Sequence, residues 1–220
     1  MIINLALFDL SQFRHRADSE HEQALVRLAE EFGFRIQTLQ HGVEAYKIAT
    51  ELKNSNVAAV VWSDWGAFKL EAYDATSYNA RLLMEAGVVT SLHSDDAEIS
   101  TRMNWEAGKL LRSGVNEIQA LSTVTNQSAK AIAIDNRVGS LEAGKDADFV
   151  IWNGNPLSQF TKAEQTWVDG RRYFSLAEDK VLREEVAKQR AQLIQAVIAA
   201  GGDAPDSAPA RNGRGGGAPK

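Results

Sequence analysis

The sequence predicts an α/β fold with parallel strands, followed by a small all-β segment and a C-terminal helix. Three observations support this prediction. Strand-like and helix-like segments alternate through the first 130 residues, and residues 57–62 form an uninterrupted apolar run. Such a run is typical of a strand that is buried on both faces of a parallel sheet. Beyond residue 134 the helical periodicity gives way to short strands bounded by glycines.

The predicted elements follow one another in the order β-α-β-α-β-α-β-α. Short alternating units imply right-handed parallel crossovers, either in a doubly wound sheet or in part of a barrel. A complete (β/α)8 barrel needs about 250 residues, and about four units are recognisable here. The predicted strands lie at residues 5–10, 35–39, 57–62 and 88–92, and the predicted helices at residues 19–32, 44–52, 78–86, 104–113 and 117–123.

Turn, helix-cap and composition signals divide the chain into four parts. A hairpin is predicted over Asp169-Gly170, and Ser175 with Glu178 predicts a capping box that opens the last helix. The glycine- and proline-rich end cannot bury enough apolar surface to fold, so we expect it to be disordered. The predicted parts are residues 1–134 (parallel α/β), 135–174 (all-β), 175–200 (helix) and 201–220 (disordered tail).

Composition also excludes several classes of function. The net charge of −5 comes from interspersed acids and bases, which argues against nucleic acid or an anionic membrane as a partner. The absence of cysteine excludes disulfides, zinc–thiolate sites and cysteine nucleophiles. We expect a soluble protein, because no apolar run approaches the roughly 20 residues of a membrane helix. The opening residues lack the basic region of a signal peptide, and the compartment is not indicated.

Polar residues follow each predicted strand of the parallel part. His15 follows the first strand, His41 the second, Ser63-Asp64 the third and Asp95 the fourth. The carboxyl ends of parallel strands form sites, and imidazole with carboxylate suits Zn²⁺ or Fe²⁺. Other interpretations stay open, since a histidine there can bond to backbone or water, and Ser-Asp can cap a helix. A nucleophile elbow and a phosphate-binding glycine loop are both absent.

Three longer stretches resemble the amidohydrolase superfamily, and within it the imidazolonepropionase-like metal-dependent hydrolases. They are EEFGFRIQTLQHGVEAYKIA, SDWGAFKLEAYDATSYNARLLMEAGVVTSLHSDDAE and DNRVGSLEAGKDADFVIWNGNPLS. The resemblance runs from about residue 13 to about residue 175. It implies a (β/α)8 barrel flanked by a β-sandwich, so residues 1–134 would be the C-terminal half of the barrel and residues 135–174 part of the sandwich.

The resemblance also implies roles for individual residues. His41 matches the sixth-strand histidine, which binds metal or polarises the substrate carbonyl. Asp95 matches the eighth-strand aspartate, which binds metal and shuttles the proton of the attacking water. His15 matches the second histidine of the fifth-strand motif, and Asp96 is assigned no role. The implied metal ligands are therefore His41, Asp95 and His15, with zinc as the expected metal and iron as the alternative.

A substrate pocket is implied by a similar tryptophan-containing stretch in relatives. Trp62, Asp64, Trp65 and Lys69 fall near the strand ends together with His93, and we expect them to line this pocket. The alternative for the two tryptophans is packing in the core or in a lid.

Two departures from the family pattern concern the metal site. Phe13 occupies the position of the first fifth-strand histidine, and an HxH pair, which the family carries on its first strand, occurs nowhere. The chain thus resembles the C-terminal portion of an amidohydrolase: a fragment, a split subunit or a decayed remnant. Its expected partners are a small-molecule substrate and a missing N-terminal half or another subunit. Export to the periplasm or beyond is compatible with this resemblance.

The expected function is hydrolysis of a C–N bond, in an amide or a cyclic amide, through metal-activated water. The alternative is a non-catalytic remnant or interaction scaffold, inactive without the missing half. A third possibility is a stand-alone α/β enzyme of another class.

Overall fold

The structure, a computed structural model, describes residues 4–5, 8–9, 19–66 and 72–201. Strands and helices alternate in its first part, as predicted. The strands are β1 (Asn4–Leu5), β2 (Phe8–Asp9), β3 (Arg35–Ile36), β4 (Thr38–Gln40), β5 (Ala58–Val61), β6 (Thr90–Leu92), β7 (Phe149–Trp152), β8 (Ala163–Val168) and β9 (Arg171–Ser175). The helices are α1 (Ser19–Phe32), α2 (Ala49–Asn54), α3 (Asn79–Glu85), α4 (Met103–Lys109), α5 (Glu117–Ser122), α6 (Asn126–Ala131) and α7 (Leu176–Ala199).

A parallel sheet of β2, β4, β5 and β6, in that order, organises the first part. Leu39 of β4 pairs with Ala59 of β5, and Ala59 pairs with Thr90 of β6. Strands β1 and β3 form a further parallel pair. The prediction of a parallel α/β fold is therefore confirmed. Closure of this sheet into half of a barrel stays a prediction.

Both faces of β5 are buried, which explains its uninterrupted apolar run. Ala59 and Val61 belong to the main core, which also contains residues of α1, α2, α3 and α4. Ala58 and Val60 point the other way and pack with Ala131 of α6. Successive side chains of a strand alternate between faces, so every position of this strand needs an apolar side chain.

The predicted helix at residues 44–52 is divided in the structure. A 3-10 helix spans Ala45–Ile48 and α2 follows it from Ala49. The backbone N–H of Tyr46 donates to Oδ1 of Asn79, 3.1 Å away. This bond uses a donor of the first turn, so a side chain from α3 fixes the start of the segment.

The second part of the sequence forms a three-stranded sheet, β7-β8-β9. Phe149 of β7 pairs with Trp167 of the antiparallel strand β8, and their rings stack with centroids 5.5 Å apart. The predicted hairpin connects β8 and β9. Asp169 (φ 51°) and Gly170 (φ 71°) both have positive φ, as a tight two-residue turn requires. Assignment of this sheet to a sandwich stays a prediction.

The chain divides into two compact units, Met1–Tyr173 and Phe174–Lys220. The predicted domain boundary at residue 134 stays a prediction. In the second unit, Ser175 occupies the N-cap of α7 without a side-chain capping bond, so the serine bond of the predicted capping box is not formed. The predicted disordered tail lies outside the described residues except for Gly201. Among the described residues, no helix is long and apolar enough to cross a membrane.

Candidate functional site

His41 lies directly after β4, in a tight turn. Its φ of 59° is in the left-handed region, which is uncommon for residues other than glycine. The N–H of Gly42 donates to the carbonyl oxygen of Val60 (3.2 Å), and the N–H of Val43 donates to the carbonyl oxygen of His41 (2.7 Å). The end of the neighbouring strand β5 therefore anchors the turn that carries this imidazole.

His93 and Asp95 lie at the end of β6. The N–H of His93 donates to the carbonyl oxygen of Val61 (3.2 Å), which continues the parallel pairing by one residue. Asp95 has a φ of 50°, so the chain turns sharply at this position. The carboxylate of Asp96 accepts the N–H groups of Glu98 (2.8 Å) and Ile99 (2.9 Å) and closes the next turn.

His41, His93 and Asp95 form a compact cluster of metal-ligand side chains. One ligand atom from each lies within 4.8 Å of the others. Nε2 of His41 is 3.6 Å from Oδ1 of Asp95, which is longer than a hydrogen bond. Two imidazoles and a carboxylate are a donor set that binds zinc and iron. The residues present therefore fit a divalent metal ion.

Two tryptophans adjoin this cluster. Trp62 is 8% exposed, and its ring lies 5.2 Å from that of His41 and 4.4 Å from that of His93. Trp65 stacks on Trp62 with centroids 5.7 Å apart and an interplanar angle of 6°. The cluster therefore has an aromatic wall on one side.

Asp64 takes part in a different set of contacts. Its carboxylate accepts from Lys109 (2.9 Å) and Arg112 (3.0 Å). Lys109 also donates to Glu106 (2.8 Å), whose carboxylate accepts from the hydroxyl of Ser63 (2.7 Å). Burial lowers the pKa of Lys109, but the hydrogen bonds to Glu106 and Asp64 more than offset this effect and raise it overall. These ion pairs tie the end of β5 to α4.

The structure thus brings five of the residues singled out from the sequence to one region: His41, His93, Asp95, Trp62 and Trp65. Asp64 is held by α4, and its place in a substrate pocket stays a prediction. His15 and Lys69 lie outside the described residues, so their roles also stay predictions. Sequence reasoning missed Asn79 and Glu106, whose bonds to Tyr46, Gly42 and Ser63 span 33 or more residues and leave no local signal.

Comparison with known proteins identifies the family. A sequence profile described as the Amidohydrolase family matches residues 12–172, which is most of the chain. The chain belongs to this family. The resemblance seen in the sequence motifs is therefore confirmed.

Individual amidohydrolases match parts of the chain. The amidohydrolase tasK of Hapsidospora irregularis is 29% identical over 157 residues, covering 69% of this chain and 16% of that protein. The imidazolonepropionase of Shewanella frigidimarina is 54% identical over 45 residues, covering 20% of this chain and 11% of that protein. An amidohydrolase structure from Thermotoga maritima MSB8 superposes with a TM-score of 0.67 at 34% identity, covering 73% of this chain and 42% of that one. The chain therefore spans less than half the length of each of these relatives.

Proposed function

We propose that this chain supplies the C-terminal part of the active site of a metal-dependent hydrolase that cleaves a C–N bond in an amide or a cyclic amide. The observation that carries the proposal is the position of His41 and Asp95. They lie at the carboxyl ends of parallel strands with donor atoms 3.6 Å apart. Active sites of barrel enzymes lie at this end of the strands, and membership of the Amidohydrolase family supports the same reaction class.

His41 and Asp95 would hold the metal ion, with zinc as the proposed metal and iron as the alternative. A bound divalent ion would lower the pKa of a water molecule toward neutrality and polarise the carbonyl group of the substrate. The side chain of His41 is 14% exposed, which leaves little freedom to reorient. This burial supports a ligand that would be positioned before a metal ion binds.

Asp95 is proposed to move the proton. Its side chain is 53% exposed, so one carboxylate oxygen can contact the metal while the other faces water and substrate. It would take a proton from the attacking water and deliver it to the leaving nitrogen, which makes the amine a better leaving group. Of the two adjacent aspartates, Asp96 uses Oδ1 to close its backbone turn, and no role in proton transfer is proposed for it.

The substrate is proposed to be a small molecule with a flat or apolar part beside the scissile bond. Trp65, which is half-buried and stacks on the buried Trp62 beside His41, would offer an aromatic surface, and such surfaces favour planar groups. The aromatic wall would also keep water away from the reacting carbonyl. Asp64 and Lys69 stay proposed members of the same pocket.

The remaining part of the barrel is proposed to come from an N-terminal half or another subunit. The chain spans 42% of the Thermotoga amidohydrolase, and within the described residues β2 and β6 are the edges of the parallel sheet. A further set of parallel strands would pair with these edges and complete the site.

Reconstitution of the missing part tests the proposal. The full chain would be co-expressed with the portion of the Thermotoga amidohydrolase that it does not match, loaded with Zn²⁺, and assayed for amine release from an acyl p-nitroanilide and ring opening of a hydantoin. We expect hydrolysis, and a decrease of about 10²- to 10⁴-fold in Asp95→Asn, because the proton carrier is lost. Asp96→Asn is the matched control and should retain the rate.

Failure of the reconstituted protein to hydrolyse either probe, with Zn²⁺ or with Fe²⁺, would contradict the proposal. A non-catalytic scaffold would then be the better description, consistent with Phe13 at a ligand position of the family.

A further inference from the structure

We infer that His93 is a metal ligand, so that His41, His93 and Asp95 form a complete three-ligand site within this chain. The inference rests on the proposed metal dependence, but it assigns a ligand that the sequence pattern placed only in the substrate pocket. It also removes the need for a ligand at Phe13. Three protein ligands and one open position are the usual arrangement of a catalytic zinc site.

The distances support direct ligation. Bonds of about 2.0–2.2 Å to zinc place two ligand atoms about 3.3–3.6 Å apart in a tetrahedral site. Nε2 of His41 and Oδ1 of Asp95 are already 3.6 Å apart. The 4.8 Å limit on all three separations means that His93 needs to approach by about 1.5 Å at most to reach tetrahedral spacing. A small side-chain rotation supplies a movement of that size.

The strand register explains why His93 points toward the cluster. Ser91, two residues earlier, bonds to Ser128 of α6 with its hydroxyl (2.8 Å). Residues two apart in a strand share a face, and the backbone bond of His93 to Val61 extends the pairing to this residue. By the same rule Trp62 shares a face with Ala58 and Val60, which also pack with α6. His93 and Trp62 thus emerge on the same face, beside the turn of His41.

Ring packing fixes the two imidazoles relative to each other. The rings of His41 and His93 meet edge to face with centroids 4.9 Å apart. Trp62 contacts both of them, so the indole limits each ring to small rotations. A hydrophobic shell of this kind orients metal-bound histidines and restricts access of water.

The set of two histidines and one carboxylate also defines the class of metal. It suits Zn²⁺ in a hydrolytic site, and it is the donor set of mononuclear Fe²⁺ centres. Mg²⁺ and Ca²⁺, which prefer sites made of oxygen ligands, are not expected to compete.

Cobalt(II) binding to the metal-free full chain tests the inference, because Co²⁺ replaces zinc and has a visible spectrum. We expect one Co²⁺ per chain, and in His93→Ala an affinity at least about 100-fold lower, since loss of even an outer-shell partner costs 10–100-fold. His93→Cys provides the decisive readout. The chain has no cysteine, so an intense sulfur-to-cobalt charge-transfer band would report ligation at position 93. Asp96→Asn is the control and should bind as the wild type does.

Circular dichroism of the metal-free proteins confirms that each variant is folded. The inference is overturned if the wild-type chain binds no Co²⁺, if His93→Ala binds it as tightly as the wild type, or if folded His93→Cys binds Co²⁺ without the charge-transfer band. Failure of the proposed hydrolysis is a separate result. Metal binding through His93 without turnover would contradict the proposed hydrolytic function. Turnover with unchanged metal affinity in His93→Ala would contradict only the assignment of His93 as a ligand.

Discussion

Asn79 holds the turn that carries His41. It is 4% exposed, and its amide group donates to the carbonyl oxygens of Gly42 (2.8 Å) and Val43 (3.0 Å) while accepting from the N–H of Tyr46 (3.1 Å). Three bonds from one buried side chain hold the backbone around this turn, and the carbonyl oxygen of Gly42 also accepts from the N–H of Ala45 (3.3 Å). We therefore expect Asn79 to position His41 without touching the metal or the substrate.

Replacement of the amide by a carboxylate tests this role. Asn79→Asp keeps an acceptor for Tyr46 but places oxygen against the two carbonyl groups. We expect a loss of about 1–3 kcal/mol in the free energy of unfolding, the cost of buried polar groups without partners. Co²⁺ affinity should fall as well, because the turn of His41 loosens. Urea unfolding and Co²⁺ titration measure the two effects.

Asn104→Asp is the control for this prediction. Asn104 also donates to a carbonyl oxygen, that of Pro156 (2.6 Å). Loss of this bond in Asn104→Asp should lower the free energy of unfolding while Co²⁺ affinity is retained. Equal metal affinity in Asn79→Asp and the wild type would show that Asn79 is purely structural.

The sequence predicted some site residues better than others, for a physical reason. His41 and Asp95 follow strands, and parallel strands bring their carboxyl ends together, so their proximity could be predicted from order along the chain. The role of Asp64 could not, because Lys109 and Arg112 reach it from 45 and 48 residues away.

At the scale of the elements, Glu106 and Lys109 connect α4 to the end of β5. The side chain of Glu106 is 5% exposed, and it accepts from Lys109 (2.8 Å) and from the hydroxyl of Ser63 (2.7 Å). Ser63 follows Trp62 directly in the chain, so this contact sets the position of the aromatic wall. A buried carboxylate is stable only while its partners remain.

Lys109→Met should therefore destabilise the fold. We expect a loss of about 1–3 kcal/mol in the free energy of unfolding, because the buried carboxylate keeps its desolvation cost and loses its charged donor. The double variant with Glu106→Gln should recover part of that loss, since it removes a buried charge whose remaining cation, Arg102, lies 4.0 Å away. Urea unfolding of the single and double variants measures the coupling. Arg112→Ala, at a side chain that is 71% exposed, is the control and should change stability by less than about 0.5 kcal/mol.

The pH dependence of this contact follows from the pKa of Lys109, which is raised in the folded state. A raised folded pKa adds stability that is complete below the unfolded pKa of about 10.4 and is lost as the pH rises through the folded value. The difference in the free energy of unfolding between wild type and Lys109→Met should thus be constant from pH 7 to pH 9 and shrink only above pH 10. A difference that already changes between pH 7 and pH 8 would contradict this assignment.

The existence of the elements was more predictable than their ends. The apolar run at residues 57–62 predicted β5 because both of its faces are buried. The helix predicted for residues 104–113 tightens into a 3-10 helix at Leu110–Ser113, which ends at Gly114 with a φ of 90°. Its exact course depends on tertiary contacts, such as the bond from Arg81 to the carbonyl oxygen of Ser113 (2.7 Å), which local propensity does not encode.

At the scale of the whole molecule, the parallel sheet has two edges within the described residues, β2 and β6. Strands of parallel sheets are normally covered on both faces, and open edges carry unpaired N–H and C=O groups that attract further strands. Periodicity of the sequence indicated parallel strands, but it left a doubly wound sheet and part of a barrel equally open. The family resemblance favoured the barrel, because element order alone does not encode closure.

Open edges give a prediction for the association of the chain in solution. We expect the chain alone to form dimers or larger assemblies at micromolar concentration, since pairing between copies would give the edge N–H and C=O groups of β2 and β6 hydrogen-bond partners. Addition of the unmatched portion of the Thermotoga amidohydrolase should convert these assemblies into a 1:1 complex, because its strands would occupy the same edges. Sedimentation velocity and light scattering distinguish the two states. A chain that stays monomeric and unfolds in one cooperative transition would instead fit a self-sufficient α/β domain, and the proposed completion of the barrel would be wrong.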